Sequence, residues 1–253
     1  MTAGRDAPPR GYVAVRARHG TAVVRESDAS AVADVLHTST LYAWASAASG
    51  LTRYQGRLPA FGVALPRSGT RVVIRHATHG GLLAPVTGDR FLRPGRAPRE
   101  LRIFAALRDA GVPTPELIGY GLYSAGPLFC RSDVMTSEIA GARDLSSAIA
   151  ADAQASRPVL EATARLLVSL ARAGAHHADL NLKNVLIAAD GEARVAYVLD
   201  VDRVTLGVDP ADAMRRNIAR LERSARKWRA TRQLAVSELD LHWLAGRARE
   251  LAA

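Results

Sequence analysis

Apolar positions change their spacing along this chain, and each change marks an element. In the stretch from 57 to 77, RLPAFGVALPRSGTRVVIRHA, two short apolar runs flank PRSGT, which predicts two strands joined by a turn. Alternation in RVVIRHA puts Val72 and Ile74 on one face and Val73 and Arg75 on the other, so Arg75 is expected on a strand beside an apolar neighbour. The spacing then lengthens. PRELRIFAALRDAG predicts a helix from near Pro98 to just before Gly111, with Pro at its start and Gly past its end. Glu100, Ile103, Phe104 and Leu107 fall at i, i+3, i+4 and i+7, on one face. A carboxylate in that apolar stripe needs a cation or water. Arg75 is the candidate cation; the alternative is that Glu100, in the first turn, complements the helix dipole.

Elsewhere the pattern is coarser. The first thirty residues are polar and basic and predict no firm element. ASAVADVLHTSTLYAWASAASG is expected to be helical in part and to end at Gly50. THGGLLAPVTGDRFLRPGRA reads as a loop, GVPTPELIGYGL as an extended connector into strands, and LFCRSDVMTSEI as a strand running into a linker. AGARDLSSAIA follows, where a two-lobed protein would hinge. Pro158 opens a long helix, PVLEATARLLVSLARAG, which Gly174 closes. No internal repeat interrupts this order. A strand-rich part with one main helix, a connector and a mainly helical part give an α+β pattern rather than alternating βαβ units. The expected divisions are 1–50, a partly helical N-terminal extension; 51–136, strand-rich; and 137–253, mainly helical.

Composition narrows the partners. The 253 residues hold 34 Lys and Arg against 24 Asp and Glu, a net charge of +10, which favours anionic partners or a solvated surface. Cys130 is the single cysteine, so the chain forms no internal disulfide and no cysteine metal cluster. The N-terminal stretch lacks the apolar core of a signal peptide, and no segment approaches the ~20 apolar residues of a membrane span. A cytoplasmic protein is expected. In AMRRNIARLERSARKW, Met214, Ile218, Leu221, Ala225 and Trp228 share one helical face, while Arg216, Arg220, Arg223 and Lys227 share the other. That row suits an anionic membrane surface or water. With no recognised motif or interleaved aromatic row, no nucleic acid is expected.

The chemistry concentrates in GAHHADLNLKNVLIAADGEARVAYVLDVDRV, from Gly174 to Val204. Val185–Ile187 and RVAYVLD read as two strands about a GEA turn, with Asp179 and Asn184 on the loop before them and Asp200 at the end of the second strand. Carboxylate and amide oxygens in that setting suit a hard cation such as Mg²⁺, with nucleotide phosphates completing its shell. Asp179 is then available to orient a hydroxyl and accept its proton. Taken one at a time, the same residues serve equally as turn caps.

HADLNLKN resembles the protein-kinase catalytic loop H-R-D-L-x-x-x-N, LDVDR stands where D-F-G would, and VVIR stands where V-A-I-K would. More narrowly, ADLNLKNVLI, LDVDR, VVIRHATHGG and GDRFL look like the lipopolysaccharide core sugar kinases, in particular the 3-deoxy-D-manno-octulosonic acid (Kdo) kinase group with the heptose kinases as relatives. FCRSDVMTSEIAGARDL and RRNIARLERSARK are similar to that group's lobe linker and C-terminal helix. The resemblance covers roughly 55–230.

It implies a protein-kinase-like two-lobed fold, a strand-rich N-lobe and a mainly helical C-lobe, and transfer of the ATP γ-phosphate to a sugar hydroxyl. In that family the acceptor is Kdo attached to lipid A, at the inner membrane's cytoplasmic face. By match, Asp179 is the catalytic base, Asn184 and Asp200 act in catalysis by holding Mg²⁺, and Arg75 contacts phosphates and pairs with Glu100. His177 supports the loop, and Asp202 is a further acidic group near the metal or a partner of Arg203 or Arg215. Arg75 departs from the protein-kinase Lys, keeping the charge with a wider fork. The nucleotide loop, QGRLPAFG, keeps Gly56 and Gly62 but has Pro59 inside it, so Gly56 and Arg57 are expected to cover phosphates without the usual glycine pattern. A kinase of the same fold for another small-molecule or protein acceptor, and a catalytically inactive binding protein, stay open as alternatives.

Overall fold

The computed structural model describes residues 8–56, 58–78, 88–92, 96–151, 156–191 and 193–253. Arg57 lies outside them, as does most of the loop that precedes Phe91. The chain divides into two compact units: the described residues of Met1–Arg102 with Glu116–Glu138, and Ile103–Pro115 with Ile139–Ala253.

The first unit is built on an antiparallel sheet. Its strands are β1 (Tyr12–Ala17), β2 (Gly20–Arg25), β3 (Thr52–Tyr54), β4 (Ala60–Ala64), β5 (Arg71–His76), β6 (Phe91–Leu92), β7 (Leu117–Ser124) and β8 (Phe129–Ser137), in the order β1-β2-β7-β8-β5-β4-β3 with β6 also on β8. Helices α1 (Ala29–Thr38) and α2 (Leu41–Ala47) contribute Val32, Val35, Leu36, Leu41 and Ala45 to one apolar cluster, with Val24, Val63, Val72, Ile74 and Met135 from the strands. Val72 and Ile74 are therefore core, as their alternation predicts, and Arg75 is left half-buried on the other face.

Strands β1 and β2 arise where the sequence predicts no element. Val13, Val15 and Ala17 do alternate with exposed positions, but these are Ala14 and Arg16, and an apolar Ala14 on the outer face blurs the period. Gly20 begins β2 because the backbone of β7 comes too close for a side chain: a Cβ there would lie 2.6 Å from Leu122 O. Helix α3 (Ala97–Asp109) matches its predicted span, and Glu100, Ile103, Phe104 and Leu107 are all buried.

In the second unit, β9 (Arg143–Asp144) leads into α4 (Leu145–Ala151), and α5 (Ser156–Arg172) starts two residues ahead of the expected Pro158. Gly174 at φ +58° turns the chain after α5; a Cβ there would lie 2.7 Å from Val208 O. Strand β10 (His176–His177) follows, then a one-turn helix at Leu182–Asn184 that feeds β11 (Val185–Asp190). The hairpin partner β12 (Ala193–Val198) pairs with β11, and β11 pairs with β9. After a second short turn, Val201–Arg203, β13 (Val204–Thr205) returns to β10. Helices α6 (Pro210–Arg232) and α7 (Glu238–Ala252) complete the unit. Asp209 caps α6 at Ala211 N and Asp212 N, and Ser237 and Asp240 form a capping box on α7.

Candidate active site

Arg75 and Glu100 meet within the first unit. Strand β5 turns Arg75 off the core face, the first turn of α3 carries Glu100, and the guanidinium Nη2 donates to Glu100 Oε1. Glu100 is only 3% exposed, so this cation meets the need of a carboxylate set in an apolar stripe. Next on β5, His76 lies among carboxylates. Its Nδ1 is 2.6 Å from the buried Asp133, and its Nε2 is 3.2 Å from Asp89, which Arg131 also holds at 2.6 Å. The hydrogen bond to Asp133 raises the His76 pKa above the usual histidine value against the opposing effect of burial. Gly56 occupies the bend between β3 and β4. Gly62 sits on β4, where a Cβ would meet Glu138 Oε1 at 2.7 Å.

In the second unit the loop from His177 to Asn184 and the turn at Asp200 form one hydrogen-bonded frame. Buried His177 accepts the Asp179 N–H at Nδ1, 3.1 Å away, and stands 2.8 Å by Nε2 from Leu199 O. Only the neutral tautomer with its proton on Nε2 makes both bonds, and burial pushes the His177 pKa below the usual value. Asn184 closes the frame from the other side. Its side-chain amide donates to Asp179 O at 2.8 Å, and its backbone carbonyl accepts from Leu199 N at 2.9 Å. Both backbone groups of Leu199 are thus held by the loop that carries Asp179. Asp200 follows at once, exposed, in a left-handed conformation at φ 53°, ψ 47°. Asp202 approaches Arg203 at 3.9 Å, while Arg215 pairs with Asp212 instead.

Helix α6 supplies residues that the spacing of the loop does not announce. Asn217, fully buried, accepts the His177 N–H at 3.0 Å and donates to Ala175 O at 2.9 Å, so one side chain holds the main chain at two points just ahead of Asp179. Ser224 accepts from Leu182 N at 3.3 Å. Their signal was present: both polar residues fall on the face of α6 that carries Met214, Ile218, Leu221 and Ala225. Arg220 corrects an expectation. It does not belong to an outward cationic row, because its Nη2 donates to Asp179 Oδ1 and its Nε to Ala178 O at 3.3 Å. Arg216 pairs with Asp212 at 3.2 Å. Arg223 and Lys227 are exposed, and no ion pair holds either among the described residues.

The donor set fits a hard cation shared with phosphate. Because Asn184 spends its amide N–H on Asp179 O, its oxygen is left to accept, and the Asp200 carboxylate follows the clamped Leu199 directly in the chain. Among the described residues no group of three or more His, Cys, Asp and Glu side chains gathers to cage an ion by itself. Oxygens of this kind take an ion whose shell other ligands complete.

The Asp179 loop and the turn at Asp200 are held in one hydrogen-bonded frame, and this chain is a phosphotransferase. Residues 46–244 match the model of the lipopolysaccharide kinase (Kdo/WaaP) family, and the chain belongs to that family. Membership implies the use of ATP. A 3-deoxy-D-manno-octulosonic acid kinase of Stenotrophomonas maltophilia (strain K279a) is 36% identical over 174 residues, 66% of this chain and 67% of that protein. Another, from Xanthomonas campestris pv. campestris (strain B100), is 32% identical over 184 residues, 71% of each. Among solved structures, WaaP in complex with acyl carrier protein aligns with a TM-score of 0.48 at 19% identity, over 85% of this chain and 94% of that one, a likeness too distant to bear on fold or partners. No described helix is long and apolar enough to cross a membrane.

Proposed function

We propose that this protein transfers the γ-phosphate of ATP to a hydroxyl of a Kdo residue on lipid A, on a protein-kinase-like scaffold. The observation that carries the reading is the clamp on Leu199, whose N–H and C=O are bound by Asn184 and His177 of the Asp179 loop. Such a clamp keeps Asp179, Asn184 and Asp200 in one register, which phosphoryl transfer needs because its catalysis is mostly positioning and charge stabilisation. When bound, Mg²⁺-ATP supplies the transferable phosphoryl group and a cation that neutralises its developing charge. Asn184 and Asp200 hold that cation through their oxygens. Arg75, kept in place by Glu100, binds phosphate oxygens, with Gly56 and Arg57 covering them. Asp179 orients the sugar hydroxyl and accepts its proton as the new P–O bond forms.

Lipid-linked acceptor places the work at the inner face of the cytoplasmic membrane. Arg223 and Lys227, exposed on α6, are the part of the basic row that fits an anionic lipid surface. Transfer of labelled γ-phosphate from ATP to Kdo-lipid A, with and without Mg²⁺, tests the reading. Metal-dependent labelling that disappears in Asp179→Ala supports it; ATP turnover without labelling of Kdo-lipid A sinks the acceptor, and nucleotide binding without any turnover sinks the enzyme mechanism.

A further inference from the structure

Arg220 is the cation nearest the proposed base, and its hydrogen bonds leave half of it unused. Helix α6 sets it at the margin of the buried face, three residues after Asn217 and four before Ser224, both of which hold the same loop. One edge of the guanidinium is taken: Nη2 donates to Asp179 Oδ1 and Nε to Ala178 O. A guanidinium has five N–H donors in a rigid fork, so three remain, all on Nη1 and Nη2. The pair is also reachable by a ligand. The Arg220 side chain is 26% exposed and that of Asp179 is 50% exposed.

The geometry divides the work between the two side chains. With Oδ1 of Asp179 bound to Arg220, Oδ2 is the oxygen left to receive a hydroxyl proton. Arg220 cannot serve as the base itself, because a guanidinium offers donors and no acceptor. Its Nη1/Nη2 end carries two parallel donors on the same guanidinium that touches Asp179, the proposed base for the acceptor hydroxyl. Parallel donors of this kind match the two oxygens of a carboxylate.

We propose that Arg220 recognises the acidic group of the acceptor sugar, its outer edge binding the carboxylate while its inner edge orients Asp179. This rests on the reading of the acceptor as Kdo, a sugar acid. It gives the site a way to select an acid over a neutral sugar, since a neutral acceptor has no carboxylate to meet the outer donors. Arg220 is on this account a residue for specificity as well as for positioning.

The test is a ratio that cancels general damage to the enzyme. kcat/KM is measured for Kdo-lipid A and for the same lipid with the Kdo carboxylate converted to its methyl ester, using wild type, Arg220→Met and Arg220→Lys, with folding checked by thermal melting. The expected result is a wild-type preference for the acid of about 10- to 100-fold, the range of a charge-assisted pair. In Arg220→Met that preference falls to about onefold, and Arg220→Lys keeps part of it. An unchanged acid-to-ester ratio in Arg220→Met, however slow the variant, overturns the proposal and leaves Arg220 with positioning alone. Equal use of acid and ester by wild type also overturns it, while the transfer itself leaves the kinase reading intact. If wild type turns over ATP but labels neither lipid, the Kdo acceptor and this inference fall together.

Discussion

The two regions that carry the candidate residues are held by different forces. Around Arg75 the contacts are between charges: Arg75 with Glu100, and His76 with Asp133 and Asp89. Around Asp179 the framework is mostly neutral, with His177, Asn184 and Asn217 bonded to main-chain groups. Charge tolerates small shifts in position but responds to pH and to loss of a partner; hydrogen bonds to the backbone fix direction and respond to any change of shape. A part that grips phosphate suits the first, and a part that aligns a base with a metal ligand suits the second.

The largest expected effect comes from the aligned region. Asp179→Ala should abolish transfer, a loss of about 10³-fold or more, with Mg²⁺-ATP binding retained in a calorimetric titration. Asp200→Ala should weaken Mg²⁺-ATP binding as well as transfer, seen as a raised Mg²⁺ requirement in the same assay. Removing Glu100 strikes the charged region. Glu100→Ala should raise the KM for ATP and lower thermal stability by about 1–3 kcal/mol, the cost of disturbing a buried charged bond. If KM for ATP does not move, Arg75 is not held for nucleotide by Glu100.

The two histidines sharpen the comparison because they titrate in opposite senses. His177 has its pKa lowered by burial, so its stabilising contribution is present above the unfolded value of 6.5 and is lost as pH falls through the depressed folded value. His76 has its pKa raised, first by Asp133, so its contribution is complete below 6.5 and is lost as pH rises through the elevated value. Melting temperature against pH should therefore lose part of its acid slope in His177→Gln and part of its alkaline slope in His76→Gln. Protonated His177 would also face the Asp179 N–H with a second donor, so the transfer rate should fall on the acid side with it. The smallest effect concerns the surface. Arg223→Gln with Lys227→Gln should weaken sedimentation with phosphatidylglycerol vesicles by about 30-fold and leave neutral vesicles unaffected, at roughly 1 kcal/mol per charge.

Much of this was legible where neighbours in sequence are neighbours in space. HADLNLKN and LDVDR lie on either side of one hairpin, and the Glu100 stripe needs only helical period. The apolar stripe alone left Glu100 either to the helix dipole or to Arg75, and the pairing followed from the resemblance to kinases. Arg220 was misread because helical period gives a direction, not a destination. Its position adjoins the buried face, and the carboxylate it meets lies 41 residues away in sequence. Asn217 was missed for the same reason, although a fully polar side chain amid Met214, Ile218 and Leu221 was a sign that something on the facing loop must bond to it. The β1–β2 hairpin was hidden because Ala14, on the exposed face of β1, is apolar like the positions it alternates with.

The central claim is that Asp179 serves transfer rather than nucleotide binding. It is tested most directly by measuring, on one preparation of Asp179→Asn, the Kd for Mg²⁺-ATP and the rate of phosphate transfer to Kdo-lipid A. The account predicts a Kd within about threefold of wild type and a rate lowered by about 10³-fold or more. Transfer at the wild-type rate, or a loss of nucleotide affinity as large as the loss of rate, would contradict it.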